Sequence, residues 1–270
     1  TAEKEDVNVR STEMSVTKVD MKEIESIPVL FGERDVLKTV QLLPGVATGG
    51  EGSAGFFVRG GSADQNLILL DEAPVYNATH LLGFFSVFNS DAIKDLKLYK
   101  GGMPAEFGGR LSSVMDIKMK DGNSKRMAVS GGIGLISSKL TIEGPIVKDK
   151  GSFIISGRRT YLDVFTAFSS DENIKKSTLY FYDLNLKANY RLGEKDRLFL
   201  SGYFGKDVLG FKDQFGVNWG NSTATLRWNH LFSDKLFSNT SLIYSNYNYR
   251  IGIDAAEFEI SSKIQDLTFK

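Results

Sequence analysis

The polar residues between the two apolar runs of FFVRGGSADQNLILLDEAPVYNATH, residues 56–80, are the first candidates for chemistry. Arg59 and the glycine pair that follows it could form a loop whose backbone cradles a phosphate. They could equally form the turn of a small sheet that blocks a channel. Asp71 and Glu72, at the end of the second run, are adjacent in the sequence. On a strand they would point in opposite directions, so they make a poor catalytic pair.

A second glycine cluster, GGEGSAG, contains the spacing Gly50-x-Gly52-x-x-Gly55 of a dinucleotide-binding loop, with Asp71 at roughly the expected distance. That loop needs a strand before the glycines and a helix after them, because the pyrophosphate binds at the helix N-terminus. Here a Pro-Gly pair precedes the cluster and an apolar strand follows it. We therefore interpret the spacing as accidental.

The composition argues against several other kinds of site. There is no cysteine, which excludes disulfides and thiolate ligands. With only two histidines, His80 and His230, we expect neither a histidine metal site nor a Ser-His-acid triad. The 33 basic and 33 acidic residues balance, so no net charge attracts nucleic acid. No apolar run approaches the about 18 residues of a membrane helix. We expect no enzyme, no cofactor and no metal site.

The elements that position these residues change in character along the chain. Residues 1–22 are charged and predicted to be extended. The spacing of Val36, Leu37, Val40 and Leu43 predicts a short helix that ends before Pro44. A second short helix is predicted to start at residue 89 or 90 and to run through residues 93 and 96. Strands are predicted over residues 55–59, 66–70, 96–100 and 114–119.

From residue 125 onward the pattern has a period of two. Apolar residues from Tyr182 to Leu192 alternate with polar residues from Asp183 to Arg191, and residues 223–232 and 257–265 repeat this alternation. Charged turns at 147–151, 193–196 and 233–235 alternate with longer connections predicted near 162–178, 208–221 and 250–256. A soluble antiparallel sandwich would show the same alternation. The asymmetric connections and the charged face favour an outer-membrane barrel.

Several motifs occur in one order that resembles a known family. They are RGG at 59–61, LILLD at 67–71 with Pro-Val at 74–75, YKGG at 99–102 with PAEFGGR at 104–110, VMDI at 114–117, and IEGP at 142–145 before a charged turn. This chain resembles, over residues 24–160, the TonB-dependent outer-membrane receptors. Glu72 departs from the family, which has glycine there, and this leaves the turn type at 71–74 open. A Val-Asn-Val at 7–9 is a weak match to the TonB box.

The resemblance implies an α+β plug domain followed by antiparallel transmembrane β-barrel strands. The implied boundaries are 1–23 for an extended segment, 24–122 for the plug and 125–270 for the first part of the barrel. The implied function is TonB-dependent uptake of a scarce ligand, an iron chelate, cobalamin or an oligosaccharide, across the outer membrane of a Gram-negative cell. The implied partners are the TonB complex, that ligand and outer-membrane lipid. An outer-membrane adhesin or signalling receptor that does not transport is the alternative.

The resemblance also implies two groups of site residues. Ligand-binding residues are expected on outward loops of the plug; they are Glu51, Asp64, Gln65, Tyr76 and Asn77. Arg59 and Arg110 are expected to contact the barrel, most plausibly its acidic residues, and a solvated surface position is the alternative for both.

The period-two segments predict about eight strands. Eight strands enclose only side chains, whereas plugged transporters use about 22. We therefore expect this chain to be the N-terminal part of a receptor. Its sheet should be open, with unpaired edges near Met127 and near residues 258–269, and the isolated piece should aggregate in water.

Overall fold

The computed structural model describes residues 15–21, 24, 33–48, 55–211, 215–253 and 256–270. Two sheets dominate it: a five-stranded small sheet in the order β1-β8-β9-β4-β5, and an eight-stranded large sheet that runs from β10 to β17 in sequence order. We refer to the described residues up to 119 as the N-terminal region. Among the described residues, no helix has the length and apolar character needed to cross a membrane.

The N-terminal region consists of short elements. Its helix α1 (Val36–Gln41) begins after Asp35, whose side chain accepts a hydrogen bond from the Lys38 amide at 3.1 Å. As predicted, the helix buries one apolar face and ends before Pro44. Its strands and 3₁₀ turns are β1 (Val16–Asp20), β2 (Val46–Thr48), β3 (Phe56–Val58), the turn Ala63–Gln65, β4 (Asn66–Leu70), β5 (Ala73–Pro74), β6 (Thr79–His80), the turn Leu81–Gly83, β7 (Phe85–Ser86), β8 (Ile93–Tyr99) and β9 (Ser113–Met119).

The helix predicted from residue 89 or 90 through 96 is wrong, because β8 occupies Ile93–Tyr99. Asn89 does cap a local structure, since its side chain accepts a hydrogen bond from the Asp91 amide at 3.0 Å, but that structure is a turn. A register shift between Ile93 and Asp95 marks a bulge in β8. The bulge allows Ile93 and Leu96 to be buried together at a spacing of three, which imitates a helical pattern.

The large sheet is antiparallel throughout. Its strands and helices are β10 (Ala128–Ile133), β11 (Ser137–Val147), β12 (Gly151–Thr160), α2 (Leu162–Thr166), α3 (Glu172–Lys175), β13 (Thr178–Arg191), β14 (Asp196–Phe211), β15 (Phe215–Ser233), β16 (Leu236–Ile253) and β17 (Phe258–Phe269). The three predicted charged turns lie at one end, the turn end. Helices α2 and α3 lie at the other, the helix end. The long connections predicted at 208–221 and 250–256 are wrong, because β14, β15 and β16 extend through most of them.

The two faces of the large sheet differ as the period of two predicts. On β13, Asp183, Asn185 and Lys187 are buried, whereas Leu184 on the opposite face is exposed. The polar face is buried because the N-terminal region packs against it, and Tyr203 of β14 even joins the main apolar cluster of that region. Strands β10 and β17 are the two ends of the strand order, so the sheet is open at the predicted edges. The domain boundaries at 23, 122 and 125 stay a prediction.

Candidate functional site

A buried ion pair on the inner face of the large sheet forms the centre of the contact with the N-terminal region. Arg158 of β12 donates through Nε and Nη2 to Asp183 Oδ2 of β13, at 2.9 and 2.6 Å. The two side chains are 2% and 0% exposed. Arg158 also donates to the Ser86 carbonyl at 2.8 Å and lies 3.5 Å from the Glu33 carboxylate. One arginine therefore joins two strands of the large sheet to two segments of the N-terminal region.

His80 provides a second buried contact at the helix end. Its Nδ1 lies 2.6 Å from Asp207 Oδ2, and its Nε2 lies 3.4 Å from Asp183 Oδ2. Its ring stacks on Phe181 with the centroids 4.0 Å apart. Burial opposes protonation of His80, but the carboxylates of Asp207 and Asp183 outweigh it and raise the pKa of the imidazole above its ordinary value.

The protonated form of His80 fits the charges around it. Three carboxylates meet here, those of Glu33, Asp183 and Asp207, and Arg158 alone cannot balance them. The Leu81 amide also donates to Asp207 Oδ1 at 2.8 Å, so both oxygens of this carboxylate are engaged by consecutive residues of one loop. We refer to these five side chains, Glu33, His80, Arg158, Asp183 and Asp207, as the buried charge cluster.

A second group of ion pairs lies toward the turn end, at the hairpin between β4 and β5. Asp71 and Glu72 both adopt the left-handed backbone conformation, with φ of 44° and 77°. These angles identify a turn in which both central residues have positive φ, and they answer the question that Glu72 raised. Asp71 lies 3.1 Å from Lys187 Nζ, and Glu72 lies 2.9 Å from Arg227 Nη1. The turn thus directs both carboxylates to the large sheet.

Replacing Glu72 should separate the strain of this turn from its ion pair. Glu72→Ala loses the contact with Arg227 and keeps a side chain at a φ of 77°. Glu72→Gly loses the same contact but relieves the left-handed strain, which costs about 1 kcal/mol or more for other residues. We expect Glu72→Gly to be the more stable variant by about 1 kcal/mol. Urea unfolding of both variants tests this, and equal stability would show that the turn is unstrained.

The predicted ligand-binding residues do not form one group. Tyr76 and Asn77 lie on the path from β5 to β6: the Tyr76 ring is 6.5 Å from the Tyr247 ring, and the Asn77 carbonyl accepts a hydrogen bond from Asn221 at 2.7 Å. Burial and Asp266 raise the pKa of Tyr76, against the opposing effect of Arg110. Asp64 and Gln65 lie in the separate turn Ala63–Gln65. Their role in binding stays a prediction, as does that of Glu51, which lies outside the described residues.

The two predicted contact arginines are both exposed. Arg59 has a φ of 49° and donates to Ser15 Oγ at 3.0 Å, within the N-terminal region. Arg110 lines a cavity of about 280 Å³ together with Tyr76 and with Asp266 of β17. In the part of the chain that the structure describes, neither arginine forms an ion pair with an acidic residue of the large sheet. Their contact with the barrel stays a prediction.

The buried ion pairs between the N-terminal region and the large sheet use residues that the sequence did not single out for this role. Alternation marked Asp183 and Lys187 as inward-facing, and the same period of two places Arg158 inward and Arg159 outward. His80 carried no such signal, because it follows an irregular segment. No cluster of three or more metal-binding side chains occurs among the described residues. The segment 7–9 and glycines 50 and 52 lie outside them.

Comparisons with known proteins agree with this architecture. Residues 8–113 match the family model of the TonB-dependent receptor plug domain. A search of curated proteins finds no match. The chain is similar to a crystal structure of a mutant ferric enterobactin receptor, PfeA of Pseudomonas aeruginosa, with a TM-score of 0.68 and 15% identity over 96% of this chain and 46% of that one.

Two further structures give similar values. The siderophore receptor PirA of Acinetobacter baumannii has a TM-score of 0.69 and 16% identity, over 98% of this chain and 45% of that one. The Serratia marcescens hemophore receptor HasR, in complex with HasA and heme, has a TM-score of 0.66 and 13% identity, over 96% and 41%. The chain therefore spans less than half the length of these proteins.

Proposed function

We propose that this chain, which contains the plug of a TonB-dependent receptor and eight strands of the barrel around it, belongs to a protein that imports a scarce ligand across the outer membrane. The observation that carries the proposal is the placement of the plug against the polar face of the barrel strands, where buried ion pairs hold it. A folded domain in that place blocks the lumen and must be displaced before a ligand passes.

The contacts suit a plug that is held firmly and released as a unit. Ion pairs and hydrogen bonds are directional, so a small displacement breaks them, whereas a continuous apolar contact would yield gradually. The main apolar cluster belongs largely to the plug itself; of its buried members in the described part of the chain, Tyr203 alone comes from the barrel strands. The plug can therefore separate from the barrel wall without exposing most of its own core.

The energy for this step would come from the TonB complex. We propose that it binds the segment before β1 by strand addition. The proposal includes the domain boundaries 1–23, 24–122 and 125–270. It also places the protein in the cell outer membrane, with lipid around the apolar face of the barrel. Transport of this kind makes and breaks no covalent bond, so no enzymatic step is proposed.

The ligand class must be determined on this protein itself, because similarity at 13–16% identity shows a shared fold and not a shared ligand. Iron chelates, cobalamin and oligosaccharides are the candidates. Growth of a deletion strain on iron, cobalamin and glycan sources, with and without the gene on a plasmid, tests the proposal. A defect on one source that a TonB deletion reproduces would support it. Surface binding of a labelled source without TonB-dependent accumulation would instead favour an adhesin or a signalling receptor.

Tyr76 is the predicted ligand residue whose replacement we expect to have the clearest effect. Its half-buried ring lies 6.5 Å from the Tyr247 ring and also lines the cavity that contains Arg110, so it could stack on a ligand group. We expect Tyr76→Ala to lower uptake several-fold at normal surface expression, since an aromatic contact contributes about 1 kcal/mol. Tyr76→Phe is the matched control and should retain uptake. Unchanged uptake after Asp64, Gln65, Tyr76, Asn77 and Glu51 are all replaced by alanine would remove this group as the binding site.

A further inference from the structure

An apolar cavity of about 360 Å³ lies at the helix end of the barrel strands, beside the buried charge cluster. The plug contributes the turn Leu81–Gly83 and the phenylalanines that follow it, and the barrel contributes Ile136, Leu179 and Trp219. Its volume falls within the range of about 300–1,000 Å³ that small-molecule sites occupy. The cavity is therefore large enough for one group of a ligand rather than for a whole macromolecular partner.

The polar groups at this cavity are already engaged. Among the described residues that line it, Asp207 alone is charged, and its two oxygens accept hydrogen bonds from His80 and from the Leu81 amide. The Trp219 indole nitrogen donates to the Thr79 carbonyl at 3.3 Å. A sugar hydroxyl or a charged group that entered would lose its hydrogen bonds to water and find none in return. Because the walls are apolar and their polar groups are already hydrogen-bonded, the cavity favours an uncharged hydrocarbon group.

The backbone at the cavity mouth is an independent observation. Leu81 and Leu82 both have positive φ, 49° and 57°, in a conformation that favours glycine or asparagine. Leu82 is also 62% exposed, so burial of its side chain in the plug does not offset this strain. A left-handed, exposed leucine beside an open cavity is the kind of backbone outlier that clusters at binding sites.

We propose that this cavity binds an uncharged hydrocarbon group, aromatic or aliphatic, of the imported ligand, and that the rest of the ligand stays in the lumen. This inference rests on the proposed function and narrows it: the ligand is an amphipathic molecule rather than an oligosaccharide. Because Leu81 lines the cavity and its amide binds Asp207, a bound group also contacts the loop that carries His80.

Photolabelling of the full-length receptor tests the site with a defined probe. The apolar probe is 3-phenyl-3-(trifluoromethyl)diazirine, and the polar comparison is a diazirine-substituted glucose; peptides with residues 81–85 and 207–219 are then measured by mass spectrometry. We expect saturable labelling of these peptides by the apolar probe only. Leu82→Asn retains a residue that tolerates positive φ but removes the apolar side chain, and should lower the labelling about tenfold. Leu42→Asn replaces a plug leucine that is 70% exposed outside the cavity, and should leave it unchanged.

The outcomes separate the site from the function. Labelling of the lipid-facing strands, which both variants retain, shows that the receptor is folded. Absence of saturable labelling at the cavity, as when another segment of the full-length protein fills it, overturns the inference and leaves TonB-dependent growth intact. Equal labelling by the glucose probe also overturns it. Labelling without any TonB-dependent growth phenotype would overturn the proposed function while the cavity remains a binding site.

Discussion

Arg158→Met should weaken the hold of the barrel on the plug by about 3–5 kcal/mol, the effect of removing one partner from a buried ion pair. The variant removes the arginine that pairs with the buried carboxylates of Asp183 and Glu33, so that His80 is the cation that stays near Asp183. It also deprives the Ser86 carbonyl of its donor. Methionine retains the aliphatic stem without the charge; it is shorter than arginine, so a small cavity adds to the loss. Pulses of protease at increasing urea concentration, applied to the full-length protein, measure the stability of the plug against the barrel strands.

Arg159 is the matched control, because it is the neighbouring arginine on the same strand with its side chain 52% exposed. Its ion pair with Asp163 is at the surface, so Arg159→Met should cost at most about 1 kcal/mol. Adding Asp183→Asn to Arg158→Met should restore part of the loss, since the uncompensated charge is then removed. Equal effects of the two arginine variants would show that the buried charge cluster does not hold the plug.

Alternation revealed much of the barrel, because each strand has one apolar and one polar face and a shift by one residue would exchange them. The same logic placed Asp183 and Lys187 toward the lumen. It could not name their partners, Arg158 and Asp71, because pairing across strands and between two sheets depends on register and tertiary packing. The helix predicted through Ile93 failed for a related reason, since a single bulge changes the spacing of buried residues from two to three.

Glu72 illustrates how a local rule and a tertiary contact compete. A turn with positive φ favours glycine on local grounds. Because glutamate stands at this position, the turn type could not be predicted from the sequence. The structure retains the turn and uses the glutamate to reach Arg227 of the barrel. A departure from a turn preference can thus indicate a contact outside the hairpin. Leu82 at the apolar cavity departs from the same preference, with a φ of 57°, although its side chain is 62% exposed among the described residues.

The hold on the plug should also weaken as the pH rises, because His80 is stabilised in its protonated form. The groups that face or adjoin it are the carboxylates of Asp207 and Asp183 and the hydroxyl of Tyr203, with Arg158 and Glu33 behind Asp183. Asp207 and Asp183 raise its pKa in the folded protein despite its burial. Its contribution is therefore fully present below the unfolded pKa of about 6.5, and is lost as the pH rises through the higher folded value.

The measurement is protease pulses in urea from about pH 5.5 to about pH 9, a range that brackets this window. We expect the stability of the plug to fall above about pH 6.5, by at most about 1.4 kcal/mol per pH unit. His80→Gln retains a hydrogen-bonding side chain without a titrating group, so it should be less stable at low pH and should flatten the profile. His230→Gln is the control: this second histidine pairs with Asp196 of the barrel at 2.7 Å, at the turn end, and its loss should leave the slope unchanged. A slope that persists in His80→Gln would assign the pH dependence to another group and leave His80 as a neutral packing residue.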